Sequence, residues 1–250
     1  SLSVSSTDDI EAFRFENLVI KVDAQDFFKF KNQEFHIGTI SWKNCEINDL
    51  QRTMWYQETN ADRQQTVDKV LIENCRFFGL NSGQSGFFGL STKQDAPVHR
   101  FEFRNSTFHA NDMTKALITG VSKMKGNLDV VVENCTFIAM KTGMTFFDLK
   151  PSNTDNFNVT VKNNLFSGVS DGASGTWINL GNVTTRTINN NYITNGFTLN
   201  NWGVEENEKP METTLPMDGL FQDVNGRDFT ITDKSSEIYT NNIGDPHWIK

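Results

Sequence analysis

A short phrase centred on asparagine recurs about every 30 residues, and it constrains the fold more than any other feature of this chain. It reads ISWKNCEI around Asn44, VLIENCRFF around Asn74, FEFRNSTF around Asn105, VVVENCTF around Asn134, VTVKNNLF around Asn163 and RTINNNYI around Asn190. The step from each asparagine to the next is nearly constant. Self-similarity at such a period marks a solenoid, in which each unit buries its apolar face only by stacking on the next. FRFENLVIKV, around Asn17 and one period before Asn44, reads as the first coil.

Each phrase opens with a period-2 alternation, the pattern of a half-buried strand. Phe101 and Phe103 alternate with Glu102 and Arg104, and Val70/Ile72, Val130/Val132 and Val159/Val161 repeat the theme, with Glu73, Glu133 and Lys162 turned to solvent. The asparagine then makes the bend, since Asn tolerates unusual backbone angles and its amide can bond one coil to the next. Stacked, Asn44, Asn74, Asn105, Asn134, Asn163 and Asn190 are expected to form an internal polar ladder. Three residues on, Phe77, Phe108, Phe137 and Phe166, with Ile47 and Ile193 at either end, form an inward apolar column. A second strand follows nearly half a period after the asparagine: MWYQ (54–57), GFFGL (86–90), ALITG (116–120), TFFDL (145–149), TWINL (176–180) and GFTLN (196–200). Gly79, Gly83, Gly143, Gly168 and Gly172 punctuate the corner between the strands.

These elements predict an all-β chain: a right-handed parallel β-helix of about six to seven coils over 1–202. The six-residue period of the left-handed form is missing. Residues 203–250 are expected to be an acidic, proline-containing excursion (203–217) and a capping tail of the same domain. The opening SLSVSS predicts a mature or trimmed segment, with any export signal, lipid anchor or further domain upstream of it.

A formal net charge of −8 argues against nucleic acid, whose partners are normally basic. No apolar run reaches the length of a membrane span, about 18 residues, so a membrane enters only through an anchor outside this sequence. Cys45, Cys75 and Cys135 each follow a repeat asparagine. In-register strands stand about 4.8 Å apart, whereas a disulfide needs Cβ atoms about 3.8 Å apart, which favours free buried thiols. The four histidines lack ligand spacing, so no metal is predicted. No cofactor motif is present.

The candidate site is the outward face of the second strand. Aligning the coils places Tyr56, Phe88, Ile118, Phe147 and Ile178 inside, and Trp55, Phe87, Leu117, Phe146, Trp177 and Phe197 outside. Gln57, Gly89, Thr119, Asp148 and Asn179 run beside the latter as a polar ladder, with Lys150 just past the strand. Aromatic rings stack on the apolar faces of sugars while amides and carboxylates take their hydroxyls. Trp55, Phe146, Trp177, Thr119, Asp148, Asn179 and Lys150 are therefore the candidate polysaccharide-binding residues. The other readings of the same column are a packing surface covered by loops or tail, and a domain or subunit interface. A one-residue slip would exchange the two faces.

The coil phrase resembles the secreted right-handed parallel β-helix proteins of the pectate-lyase-like superfamily. The tail, with LFQDVNGRDFTI (220–231), Ser235, Ser236 and Gly244-Asp245-Pro246 before Trp248, is similar to the ending of bacterial surface β-helix lipoproteins. Such endings belong to uncharacterised surface proteins encoded beside glycan-uptake systems in Bacteroidetes. The resemblance implies a secreted or cell-surface location, that of an outer-membrane lipoprotein, and carries over no catalytic motif. The leading expectation is a polysaccharide-binding protein accessory to glycan capture. A lyase cleaving uronate polymers with a Lys or Arg base is the alternative, and a passive scaffold the third. Hydrolysis usually needs two carboxyl groups, and Asp148 stands alone in its column.

Overall fold

The computed structural model of the chain describes residues 2–4, 9–22, 26–30, 33–57, 64–81, 86–90, 97–112, 116–141, 145–151, 153–169, 175–197, 199 and 201–250. The fold is the expected all-β parallel solenoid. Every coil passes through three strands in the same order, and equivalent strands stack in parallel into sheets of seven, seven and eight strands. Among the described residues helix is limited to single turns such as Met217–Leu220 and Glu237–Thr240.

The strand before each asparagine builds the second sheet. Phe35–Lys43 pairs with Gln65–Glu73, which pairs with Val98–Arg104, like position on like position. Ile40, Val70, Phe101, Val130 and Val159 form one inward column, and Trp42, Ile72, Phe103, Val132 and Val161 another, all buried. β-Branched and aromatic side chains suit this pleated, one-sided packing.

At the bend, Asn17, Asn44, Asn74, Asn105, Asn134, Asn163 and Asn190 all take φ between 48° and 56°. This left-handed region costs most side chains about 1–2 kcal/mol, and Asn is among the few that visit it readily. The amides then link coils: Asn44 Nδ2 donates to Asn17 Oδ1 (3.1 Å), Asn74 to Asn44 (3.3 Å), Asn134 to Asn105 (3.1 Å) and Asn190 to Asn163 (2.7 Å). These side chains are exposed or half-buried, so the ladder is a surface one and the expected internal placement is corrected.

The interior role falls to the next residue. The Cys45 N–H donates to Cys75 Sγ (3.4 Å), the Cys75 N–H to Ser106 Oγ (3.0 Å), the Cys135 N–H to Asn164 Oδ1 (2.9 Å) and the Asn164 N–H to Asn191 Oδ1 (3.1 Å). Thiol, hydroxyl and amide thus serve as interchangeable acceptors for buried backbone donors. The three cysteines are free, as expected.

The third sheet follows the bend. Its inward rings Phe77, Phe108, Phe137 and Phe166 stack nearly parallel, with centroids 5.1, 5.1 and 4.8 Å apart, and Ile47 and Ile193 extend the column at its ends. Its outer face is apolar as well. Phe78, Ile138, Leu165 and Tyr192 are covered by tail residues Leu220, Phe229, Ile231, Ile238, Ile243 and Trp248. The tail therefore packs along one flank of the solenoid, while Phe197, Leu199, Trp202 and Val204 pack on the core at the last coil. Within the 203–217 excursion, Met211–Glu212 pairs with Tyr192–Ile193 and adds the eighth strand.

Of the punctuating glycines, Gly79 takes φ +68° and Gly168 lies inside the strand Leu165–Val169. Gly83, Gly143 and Gly172 fall outside the described residues.

Candidate functional site on the outer face of the first sheet

The first sheet is built from the strand expected nearly half a period after each asparagine. Its register corrects the sequence alignment. Trp55 pairs with Phe28 and Phe88, and Phe88 with Ile118, so Trp55 belongs to the inner column that continues through Phe147 and Ile178. Tyr56, expected inside, pairs with Lys29 and Gly89 and stands half-buried on the outer face. Gln57, expected outside, is buried.

The expected external aromatic ladder does not exist. Trp55, Phe87, Leu117, Phe146 and Trp177 are all fully inaccessible and Phe197 nearly so. They lie inside the solenoid, not under the tail. Phe87 meets Phe77 and Phe108 edge-on at 5.5 and 5.9 Å, and Trp177 meets Phe166 at 5.4 Å. The reason is local. Phe87, Leu117, Phe146 and Trp177 occupy the bend leading into each strand, and extended pairing begins only at the next residue. Strict alternation therefore does not apply, and two successive side chains both point inward. Trp55, Phe146 and Trp177 cannot touch a ligand in this fold.

Of the expected polar ladder, Gln57 and Gly89 are buried, while Thr119, Asp148 and Asn179 are where the sequence placed them. Thr119, Asp148 and Asn179 are half-buried and successive on the outer column, and Asn179 Nδ2 donates to Asp148 Oδ1 at 2.8 Å. A cavity of about 280 Å³ opens here, lined by Thr119, Gly120, Ser122, Asp148 and Lys150. The 3₁₀ turn Val121–Lys123 raises its wall. Gly120 starts that turn at φ +88°, with no room for a β-carbon against the Leu90 carbonyl oxygen, 2.2 Å from where it would sit. Further along, the Lys29 ammonium lies 5.6 Å from the centre of the Tyr56 ring. Tyr56 is three strand spacings from Asp148, about 14 Å.

This arrangement carries a carboxylate, an amide, two hydroxyls, two ammonium groups and one phenol ring along the face. It can hold a hydroxyl-rich ligand by hydrogen bonds. Asp148 has no second carboxylate beside it on the column. Among the described residues no cluster of three or more His, Cys, Asp and Glu could hold a metal ion. Lys29, Tyr56 and Ser122 are the residues that sequence alignment missed. The signal was present as an apolar doublet in each coil, Phe27-Phe28, Met54-Trp55, Phe87-Phe88, Leu117-Ile118, Phe146-Phe147 and Trp177-Ile178. The outward residue is the one after the doublet: Lys29, Tyr56, Gly89, Thr119, Asp148 and Asn179.

Residues 130–248 are similar to a family described as a domain of unknown function (DUF5123). That stretch includes Asp148, Lys150, Asn179 and most of the tail, while Tyr56 and Thr119 precede it. No curated protein and no solved structure matches the chain. No helix of the described residues is long and apolar enough to cross a membrane.

Proposed function

We propose that the chain is a secreted or cell-surface β-solenoid that holds a polysaccharide on the outer face of its first sheet without cleaving it. One observation carries the reading: the outward column runs through Lys29, Tyr56, Thr119, Asp148 and Asn179, and its members Thr119 and Asp148 line a cavity together with Lys150. Ligand sites generally combine such a concavity with a few convergent polar groups. A column with one step per strand suits a ligand that itself repeats. The likeness of the tail to bacterial surface β-helix proteins of the pectate-lyase-like kind supports the location. Affinity electrophoresis through gels containing plant and host polysaccharides tests it. At least one glycan is expected to retard the protein, and Tyr56→Ala and Asp148→Ala should each weaken retention about tenfold, equivalent to about 1.4 kcal/mol. Unchanged mobility in every gel rejects the reading.

Lys150 beside Asp148 in the same cavity favours one second reading, a uronate lyase in which the amine removes the α-proton. Uronate polymers incubated with the protein would then develop the ultraviolet absorbance of an unsaturated product, and Lys150→Ala would abolish it.

A further inference from the structure

A larger cavity, of about 430 Å³, opens on a different edge of the molecule, where the end of the tail meets the asparagine bends. One wall is the bend itself, with Asn74 and Asn105, and the other is Arg76 with the tail residues Pro246 and His247. The amide stack is interrupted at this place. Asn74 donates to Asn44 and Asn134 donates to Asn105, but Asn105 Nδ2 has no acceptor, and Asn74 Oδ1 no donor, among the described residues. The stack also breaks between Asn134 and Asn163, where the tail packs against the bend through a main-chain bond from the Gly244 N–H to the Asn163 carbonyl (2.9 Å). At the first break no tail residue among those described bonds either amide, and Asn105 Nδ2 and Asn74 Oδ1 belong to residues that line the cavity.

The opposite wall continues this mixed character. Arg76 Nη1 donates to His247 Nε2 at 2.8 Å. Guanidinium has no acceptor capacity, so Nε2 is the bare nitrogen and Nδ1 carries the proton. Burial, then the charges of Arg76 and Lys250, hold His247 below the ordinary imidazole value, so the ring is neutral. Arg76 is itself balanced by Glu46 at 3.2 Å. The Asp245 carboxylate is occupied, accepting from Thr107 Oγ1 (2.7 Å) and the His247 N–H (2.9 Å). The corner therefore presents alternating donors and acceptors with little net charge, and the Pro246 ring as an apolar wall.

We propose that this corner binds one neutral pyranose unit, at a site separate from the first-sheet face. A sugar hydroxyl donates and accepts at once, which matches the unpaired amide donor and acceptor on the bend. The sugar's C–H face suits Pro246, and the volume lies in the range of small-molecule sites. An inorganic anion or a uronate fits poorly, because Glu46 already neutralises the guanidinium.

The test is an amide-resolved NMR titration of the whole chain with methyl glucoside, methyl galactoside, methyl mannoside, glucuronate and inorganic phosphate. At least one neutral glycoside is expected to shift the Asn74 and Asn105 side-chain amides and the His247 backbone amide saturably. His247→Ala should weaken that binding about tenfold, and Asn105→Gly, which keeps the left-handed bend, should do the same. Tyr56→Ala and Asp148→Ala should leave it unchanged, which separates this site from the first-sheet reading. Tighter binding of glucuronate or phosphate than of every neutral glycoside would overturn the proposal. So would shifts that fail to saturate, or shifts that persist at full strength in both corner variants while their spectra remain those of a folded chain.

Discussion

The asparagine at a bend such as Asn134 has two jobs that a pair of substitutions can separate. Its backbone sits in the left-handed region, at φ 53° for Asn134, and its amide donates to the coil before. Asn134→Gly removes only the amide and is expected to cost about 1 kcal/mol, the net worth of an ordinary hydrogen bond. Asn134→Ala removes the amide and adds the left-handed penalty, for a total of about 2–3 kcal/mol. Denaturant melts of the two variants check this, and equal costs would show that only one of the jobs matters. The recurrence of Asn was legible because backbone strain leaves few residue types to choose from. The acceptor column behind it was not, because Cys75, Ser106, Asn164 and Asn191 share a role without sharing a chemistry. Burial moves the Cys75 thiol up to about 12, which keeps it a neutral acceptor and not a reactive thiolate.

Among strands, parallel stacking in register creates its own electrostatic problem, since like positions fall on like positions. The outer edge column of the second sheet answers it by alternating sign: Glu16, Lys43, Glu73, Arg104, Glu133 and Lys162 lie in register. Lys43 reaches Glu73 at 3.0 Å, Lys162 reaches Glu133 at 2.9 Å, and Arg104 also bonds Glu133. Glu133→Lys would place three cations in succession. The expected loss is about 2 kcal/mol, between the values of exposed and buried pairs. Melts in low and high salt should show that loss shrinking as screening rises, and a salt-independent loss would assign it to packing. These strands were readable from sequence because each keeps a fixed distance to its asparagine. The first sheet was harder, since its distance from the asparagine varies from coil to coil and a one-residue slip exchanges the faces. That slip put Trp55 outside and Tyr56 inside. The polar trio Thr119, Asp148 and Asn179 survived it because those three coils align through the doublets that precede them.

Across the whole molecule, the tail is what converts a bare three-sided solenoid into a finished surface, and its polar anchors make that closure pH-dependent. Thr107 and Thr136 bind it through the Asp245 carboxylate (2.7 Å), the Trp248 indole (2.7 Å) and the Asp245 N–H (2.8 Å). Arg227 reaches down to Asn48 and Asp49 at 3.3 and 3.4 Å and lies over the Phe78 ring. Beneath the tail, His109 sits between the rings of Phe78 and Phe229. Its Nδ1 is buried without a hydrogen-bond partner among the described residues. Burial, then the charge of Arg227, pushes His109 from 6.5 down to about 4, while burial pushes Asp245 from 3.8 up to about 6. The two groups act in opposite senses. A histidine whose folded value is depressed contributes stability present above pH 6.5 and lost as pH falls through about 4. A carboxyl whose folded value is raised contributes stability present below pH 3.8 and lost as pH rises through about 6. In the parent chain the two slopes oppose each other over most of the same interval, so its own melting temperature changes little there on their account. Single variants expose them. Relative to the parent, His109→Phe should gain stability as pH is lowered from 6.5 to 4, and Asp245→Asn should gain it as pH is raised from 4 to 6. Thermal melts across that range decide the matter: differences that stay flat, or slope the other way, would remove both groups from the linkage and leave the tail held by packing alone.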